Sequence, residues 1–109
     1  MSMIGQLAIS KAGHDKDTVY VIAGQKEDFV YLCDGKKKLP AAPKKKRRKH
    51  IQPINEWVDD ELLNKLQSGM TVYPEEIKYE LSDFLYHAMV LMALKGVTWD
   101  DIVRELADR

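Results

Sequence analysis

The sequence predicts an α+β chain: a small antiparallel β-barrel over residues 1–53, then an acidic helical segment over residues 54–109. Two observations predict it. Short β-branched and aromatic runs separated by tight turns fill the first half, and after Pro53 the apolar spacing changes to that of amphipathic helices. Charge divides at the same place. Residues 1–53 hold twelve Lys/Arg against five Asp/Glu, a net of +7, whereas residues 54–109 hold five against twelve, a net of −7. The formal net charge of zero hides two unlike halves.

Each element has a local reason. Residues 6–10 (QLAIS) alternate weakly, and residues 11–17 are polar and turn-like, with Gly13 free to take positive φ. Residues 18–23 (TVYVIA) and 29–33 (FVYLC) are β-branched and aromatic, with a hairpin loop at 24–28 between them. Asp34-Gly35 signals a turn; Pro40 and Pro43 exclude helix and confine any strand there to an edge. Residues 50–54 can form a last short strand. Helices are expected at about 58–68, 74–95 and 98–108. Leu62, Leu63 and Leu66 have helical spacing, with acids in the first turn and Gly69 past the end. Pro74 suits the first turn of the second helix and Gly96 stops it, while Thr98 to Asp101 resembles a capping box opening the third. Ile77, Leu81, Phe84, Leu85, Ala88, Leu91 and Met92 give the second helix an apolar face. Met89, Val90 and Leu94 make it apolar nearly all round, which predicts self-association through residues 77–94.

At 109 residues, 45% hydrophobic and 31% charged, the composition is that of an ordinary globular protein. The longest apolar run, Phe84 to Leu94, is too short to cross a bilayer. The lone Cys33 excludes an internal disulfide, reads as a buried structural thiol, and with no signal-peptide pattern predicts a cytoplasmic location.

Residues 35–50 (GKKKLPAAPKKKRRKH) carry seven lysines, two arginines and no acid. Such a run repels itself, so a polyanion is the expected partner. Lys36, Lys37, Lys38, Lys44, Lys45, Lys46, Arg47, Arg48 and Lys49, with Lys11, His14 and Lys16 on an earlier loop, are the candidate RNA-binding residues. Tyr20, Phe29 and Tyr31 are available to stack on bases, although strand alternation favours core packing for at least two of them.

Ser10 to Lys16, Val19 to Ile22, Phe29 to Gly35 and Pro43 to Lys46 leading to Lys49-His50-Ile51 resemble the KOW-type RNA-binding proteins related to a ribosomal protein. The likeness extends through a helical tail to about Ile77. It implies an SH3-like five-stranded barrel contacting structured, ribosomal RNA, without catalysis and without a cofactor. Asp17 departs from the pattern, since the family usually has glycine there.

From Tyr79 the sequence resembles the C-terminal end of phosphoribosyl-ATP pyrophosphatase, in Tyr79 to Leu91 and in Lys95 to Leu106. That enzyme of histidine biosynthesis belongs to the all-α nucleotide pyrophosphohydrolases. The resemblance implies Mg²⁺ held by Glu80 and Asp83, with Glu76 and His87 extending the same face. Asp60 and Glu61 match the first two positions of the earlier acidic motif, and Asn64 stands where its third carboxylate belongs. The main expectation is therefore a non-catalytic RNA-binding protein. The alternatives are a degenerate Mg²⁺-dependent pyrophosphohydrolase, or a chimeric fusion of unrelated halves.

Overall fold

The computed structural model describes residues 2–107. Five strands, β1 (Gln6–Ser10), β2 (Val19–Lys26), β3 (Phe29–Cys33), β4 (Lys44–Arg47) and β5 (Ile51–Trp57), precede three helices, α1 (Asp60–Ser68), α2 (Pro74–Lys95) and α3 (Trp99–Ala107). The strands form one antiparallel sheet in the order β4-β3-β2-β1-β5. The expected closed barrel is corrected to an open sheet with β4 and β5 as its edges. Four consecutive cations form β4, and β5 contains Pro53, two features that blunt an edge against further pairing. Pro53, expected at the boundary between the halves, thus lies inside β5, four residues before its end at Trp57, because an edge strand tolerates a missing N–H.

Although open, the sheet is strongly coiled. In a flat sheet β4 would lie about 14 Å from β1, three spacings of about 4.8 Å. Yet Lys46 Nζ on β4 donates to Ser10 Oγ at the end of β1, at 2.7 Å. Coiling of this kind lets the sheet cover one of its own faces. Ala8, Tyr20, Ile22, Val30, Leu32 and Ile51 form a buried cluster there. Leu7, Ile9, Val19, Val21 and Cys33 alternate onto the other face and join Ile54, Val58, Leu62, Ile77 and Leu81 in a second core. Sheet and helices therefore share a core. Cys33 is fully buried in it, and burial, with Asp34 nearby, pushes its thiol up to about 11, as a structural thiol requires.

The helix ends follow the local sequence. Asp59 caps α1 by accepting from Leu62 N–H at 2.9 Å, and Gly69 takes a left-handed conformation after its end. Pro74 opens α2, and Gly96 closes it with φ of 65°. Thr98 and Asp101 exchange hydrogen bonds at 3.0 and 3.1 Å, the expected capping box of α3. Gly35 fixes where α2 lies against the sheet. A Cβ there would stand 2.5 Å from the Pro74 carbonyl oxygen and 2.7 Å from Lys78 Cγ, so only glycine admits this approach. The Asp34 carboxylate organises the same turn by accepting from the N–H groups of Lys36, Lys37 and Lys38.

Only part of the predicted α2 face is buried. Ile77, Leu81 and Ala88 are covered, whereas Leu85, Leu91, Tyr86, Met89 and Leu94 are exposed in the single chain. Among the described residues, no helix is long and apolar enough to cross a membrane.

Candidate active site

Burial of Ile77 and Leu81 against the sheet fixes the rotation of α2 and turns Glu80, Asp83 and His87 towards its flank. There they border a cleft of about 560 Å³ between α2, α3 and β5. Its floor is apolar, with Leu7, Phe84, Ala88 and Ile102 among the contributors. Glu56, Asp101 and Glu105 line it together with Glu80 and Asp83, and Lys95 and His87 are the basic side chains among its described lining. Trp57, at the end of β5, lines one wall and is 45% exposed. A smaller groove of about 260 Å³ runs between α1 and α2, bordered by Asp59, Glu61, Glu75, Glu76 and Glu80.

Glu80 lies where the two cavities meet. Its Oε1 accepts from Asp59 N–H at 3.0 Å. Burial pushes its carboxyl above the ordinary value, and the Asp59 and Asp83 carboxylates raise it further, against the lowering effect of the Asp59 N–H. A carboxyl tuned upwards in a cleft is suited to proton transfer. His87 Nε2 lies 3.5 Å from Asp83 Oδ1.

The carboxylates expected to hold Mg²⁺ are divided by this arrangement. Glu80 and Asp83 share the larger cleft, Glu61 meets Glu80 only across the α1–α2 groove, and Asp60 borders neither cavity. Glu76 is engaged elsewhere, accepting from Lys65 Nζ at 2.6 Å and from Tyr73 N–H at 3.0 Å. The hydrogen bond from Lys65 lowers the Glu76 carboxyl, and the same bond raises the Lys65 ammonium. Among the described residues, no three His, Cys, Asp or Glu side chains stand together as a metal set. The residues therefore do not fit a preformed Mg²⁺ centre.

Two lysines of the basic stretch pair with a carboxylate from an earlier loop. Lys46 Nζ donates to Asp15 Oδ1 at 2.6 Å, to Ala12 O and to Ser10 Oγ, while Lys44 Nζ donates to Asp15 Oδ2 at 2.9 Å. Tyr20 and Ser10 hydroxyls donate to the same carboxylate. Burial opposes ionisation of Asp15, but these four donors together hold it well below the usual carboxylate range. Lys45 and Arg47 lie over the Phe29 ring, at 4.2 and 5.0 Å from its centroid. Tyr20 is buried, so of the three aromatics considered for base stacking, one is core and one carries cations. Lys11, His14, Lys16, Lys36, Lys37, Lys45, Arg47, Arg48 and Lys49 are exposed, with Lys38 half-buried.

Sequence patterns did not mark Asp15 or Asp59 as special, nor Glu56, Trp57 and Glu105 as neighbours of Glu80. Asp15 and Asp59 had a faint signal, each being an acid ahead of a strand or helix start. The others had none, because β5 and α3 meet only in the folded chain.

The family model described as phosphoribosyl-ATP pyrophosphohydrolase matches residues 32–109. Phosphoribosyl-ATP pyrophosphatase of Saccharolobus islandicus (strain L.S.2.15 / Lassen #1) is 42% identical over 52 residues, 48% of this chain and 55% of that protein. The protein of the same name from Limosilactobacillus fermentum is 36% identical over 61 residues, 56% of this chain and 58% of its own length. A third, from Ignicoccus hospitalis, is 46% identical over 35 residues, 32% and 34% of the two chains. The chain spans about half the length, or less, of these curated relatives. These matches overturn the expectation of a non-catalytic, KOW-type RNA-binding protein with ribosomal RNA as its partner. Within the basic run, Lys44 and Lys46 pair with Asp15, and Lys45 and Arg47 lie over Phe29. The matched span also begins in β3, well before Tyr79, and includes β4 and β5.

Proposed function

This chain belongs to the phosphoribosyl-ATP pyrophosphohydrolase family, and from that premise we propose that it cleaves the pyrophosphate linkage of a phosphoribosyl nucleotide in the cleft between α2, α3 and β5. One observation carries the proposal: Glu80 and Asp83, the acid pair matching the family's later helix, border the widest cavity described. Hydrolysis requires water to bond to phosphorus, the P–O bond to pyrophosphate to break, and a proton to leave the water. Glu80, in its ionised form, is the group suited to accept that proton, because its surroundings raise its basicity. Mg²⁺, which the family implies, would neutralise phosphate charge, but this chain's carboxylates are not gathered for it.

Pyrophosphate release from phosphoribosyl-ATP, measured with and without added Mg²⁺, is the test. Release that falls about 100-fold or more in Glu80→Gln is expected of a proton-transferring residue. Release unchanged by that substitution would remove the site. A second reading, nucleotide binding without turnover, is favoured by Asn64 in place of the third acid and by the commitment of Glu76 to Lys65. Nucleotide binding with no pyrophosphate release in any metal condition would select it.

A further inference from the structure

Glu80 and Lys95 both border the cleft, yet they stand about 22 Å apart along the axis of α2, at about 1.5 Å of rise per residue. The cleft is therefore a trough running beside the helix. Glu80 and Asp83 lie towards one end, His87 between, and Lys95 at the other. Helical side chains lean towards the helix N-terminus, which for Lys95 is towards the trough. Its charge is unanswered there. Asp83 lies beside His87, Asp101 accepts from Thr98 N–H and Arg104, and among the described residues Lys95 forms no ion pair. A lysine left unpaired in a cleft that also holds carboxylates is free to meet an anionic group of a ligand.

Phosphoribosyl-ATP, as its name states, carries phosphate in two places. One is the triphosphate that is cut; the other is the single phosphate of the added ribosyl group, with the base between them. The separation along α2 exceeds the combined reach of the Glu80 and Lys95 side chains, so Lys95 cannot hold the linkage cut beside Glu80. It is placed for the far phosphate. We propose that Lys95 binds the phosphate of the phosphoribosyl group and so distinguishes phosphoribosyl-ATP from ATP. The proposal rests on the pyrophosphohydrolase reading and adds a specificity determinant to it. Binding at the remote phosphate fixes how far the substrate slides along the trough, and so brings the scissile linkage to Glu80 and Asp83.

The experiment is calorimetric titration of the full chain with phosphoribosyl-AMP and with AMP, which differ by the phosphoribosyl group alone. Binding of phosphoribosyl-AMP about tenfold tighter than that of AMP is expected, the worth of one charge-assisted contact to phosphate. Lys95→Met abolishes this preference by weakening phosphoribosyl-AMP alone, whereas Lys95→Arg, which keeps the charge, retains most of it. Lys95 is exposed, so neither substitution disturbs the core, which circular dichroism checks. A preference that survives Lys95→Met, one lost equally in Lys95→Arg, or AMP weakened in step with phosphoribosyl-AMP would overturn the assignment. Failure of phosphoribosyl-AMP to bind would do the same. Pyrophosphate release from phosphoribosyl-ATP, with the preference unchanged in Lys95→Met, removes the role of Lys95 and leaves the activity standing. A preference that depends on Lys95, in a chain that releases no pyrophosphate, upholds the role and removes the activity.

Discussion

Asp15 and Glu80 are both partly buried carboxylates, and their surroundings drive them in opposite directions. Asp15 lies among two lysines and two hydroxyls, and its proton is lost far more easily than usual. Glu80 lies between Asp59 and Asp83 with one backbone N–H to stabilise its charge, and it holds its proton more tightly. Burial raises the carboxyl in both cases; the partners decide the sign. The first arrangement holds the coiled sheet together, tying β4 to the loop between β1 and β2. The second leaves an acid under electrostatic strain beside the widest cleft, which is where chemistry is expected.

The largest effect comes from breaking the Asp15 network. Asp15→Asn leaves Lys46, whose side chain is only 10% exposed, without its counter-charge. A loss of about 3 kcal/mol is expected from removing one partner of such a pair, read as a lower urea midpoint. A midpoint within experimental error of the unsubstituted chain would show that the network stabilises little.

Gly35→Ala comes next. Its Cβ would collide with the Pro74 carbonyl, and φ of 75° disfavours any side chain, so about 2 kcal/mol of destabilisation is expected by thermal unfolding. Preserved stability would mean that α2 can shift away from the turn without loss.

The pH dependence separates the two acids by sign. The folded-state value of Asp15 is lowered, so its contribution is present above the ordinary value of 3.8 and is lost as pH falls below it. That of Glu80 is raised, so the folded chain binds the extra proton, and Glu80 disfavours the fold as pH rises above 4.5. Urea midpoints followed from pH 3 to pH 7 test both signs. Asp15→Asn should flatten the fall at the acid end, and Glu80→Gln should remove a small decline on the way to neutrality. A steeper decline in Glu80→Gln would contradict the strain assigned to Glu80.

The smallest effect is a gain. Asp17 holds φ of 74°, a left-handed backbone that glycine adopts without cost. Asp17→Gly should raise stability by about 0.5 kcal/mol, measured by thermal unfolding. A loss would mean that the side chain contributes a contact outweighing the strain.

Much of the fold was legible in the sequence because its causes are local. Period-two runs gave β1, β2 and β3, and the Pro74, Thr98, Gly69 and Gly96 positions bounded the helices within two residues, since caps and turns act on the nearest few peptide groups. The basic run was misread for the same reason. Lys44 and Lys46 look uncompensated when only neighbours in sequence are counted, and Asp15 reaches them from 29 and 31 residues away.

The acid pair Glu80 and Asp83 followed from helical spacing and from a likeness of sequence. That they border a cleft with Glu56, Trp57 and Asp101, rather than joining Asp60 and Glu61 in a metal set, did not follow. The sequence by itself determined the existence of β1, β2, β3 and the three helices, the helix ends and the faces available for burial, all set by φ/ψ preference and apolar period. Only the tertiary structure decided that the sheet stays open while coiling on itself, that Asp15 pairs with Lys44 and Lys46, and that Glu80 is strained. Those outcomes depend on which charges the packing brings within a few ångströms, and spacing along the chain does not carry that distance.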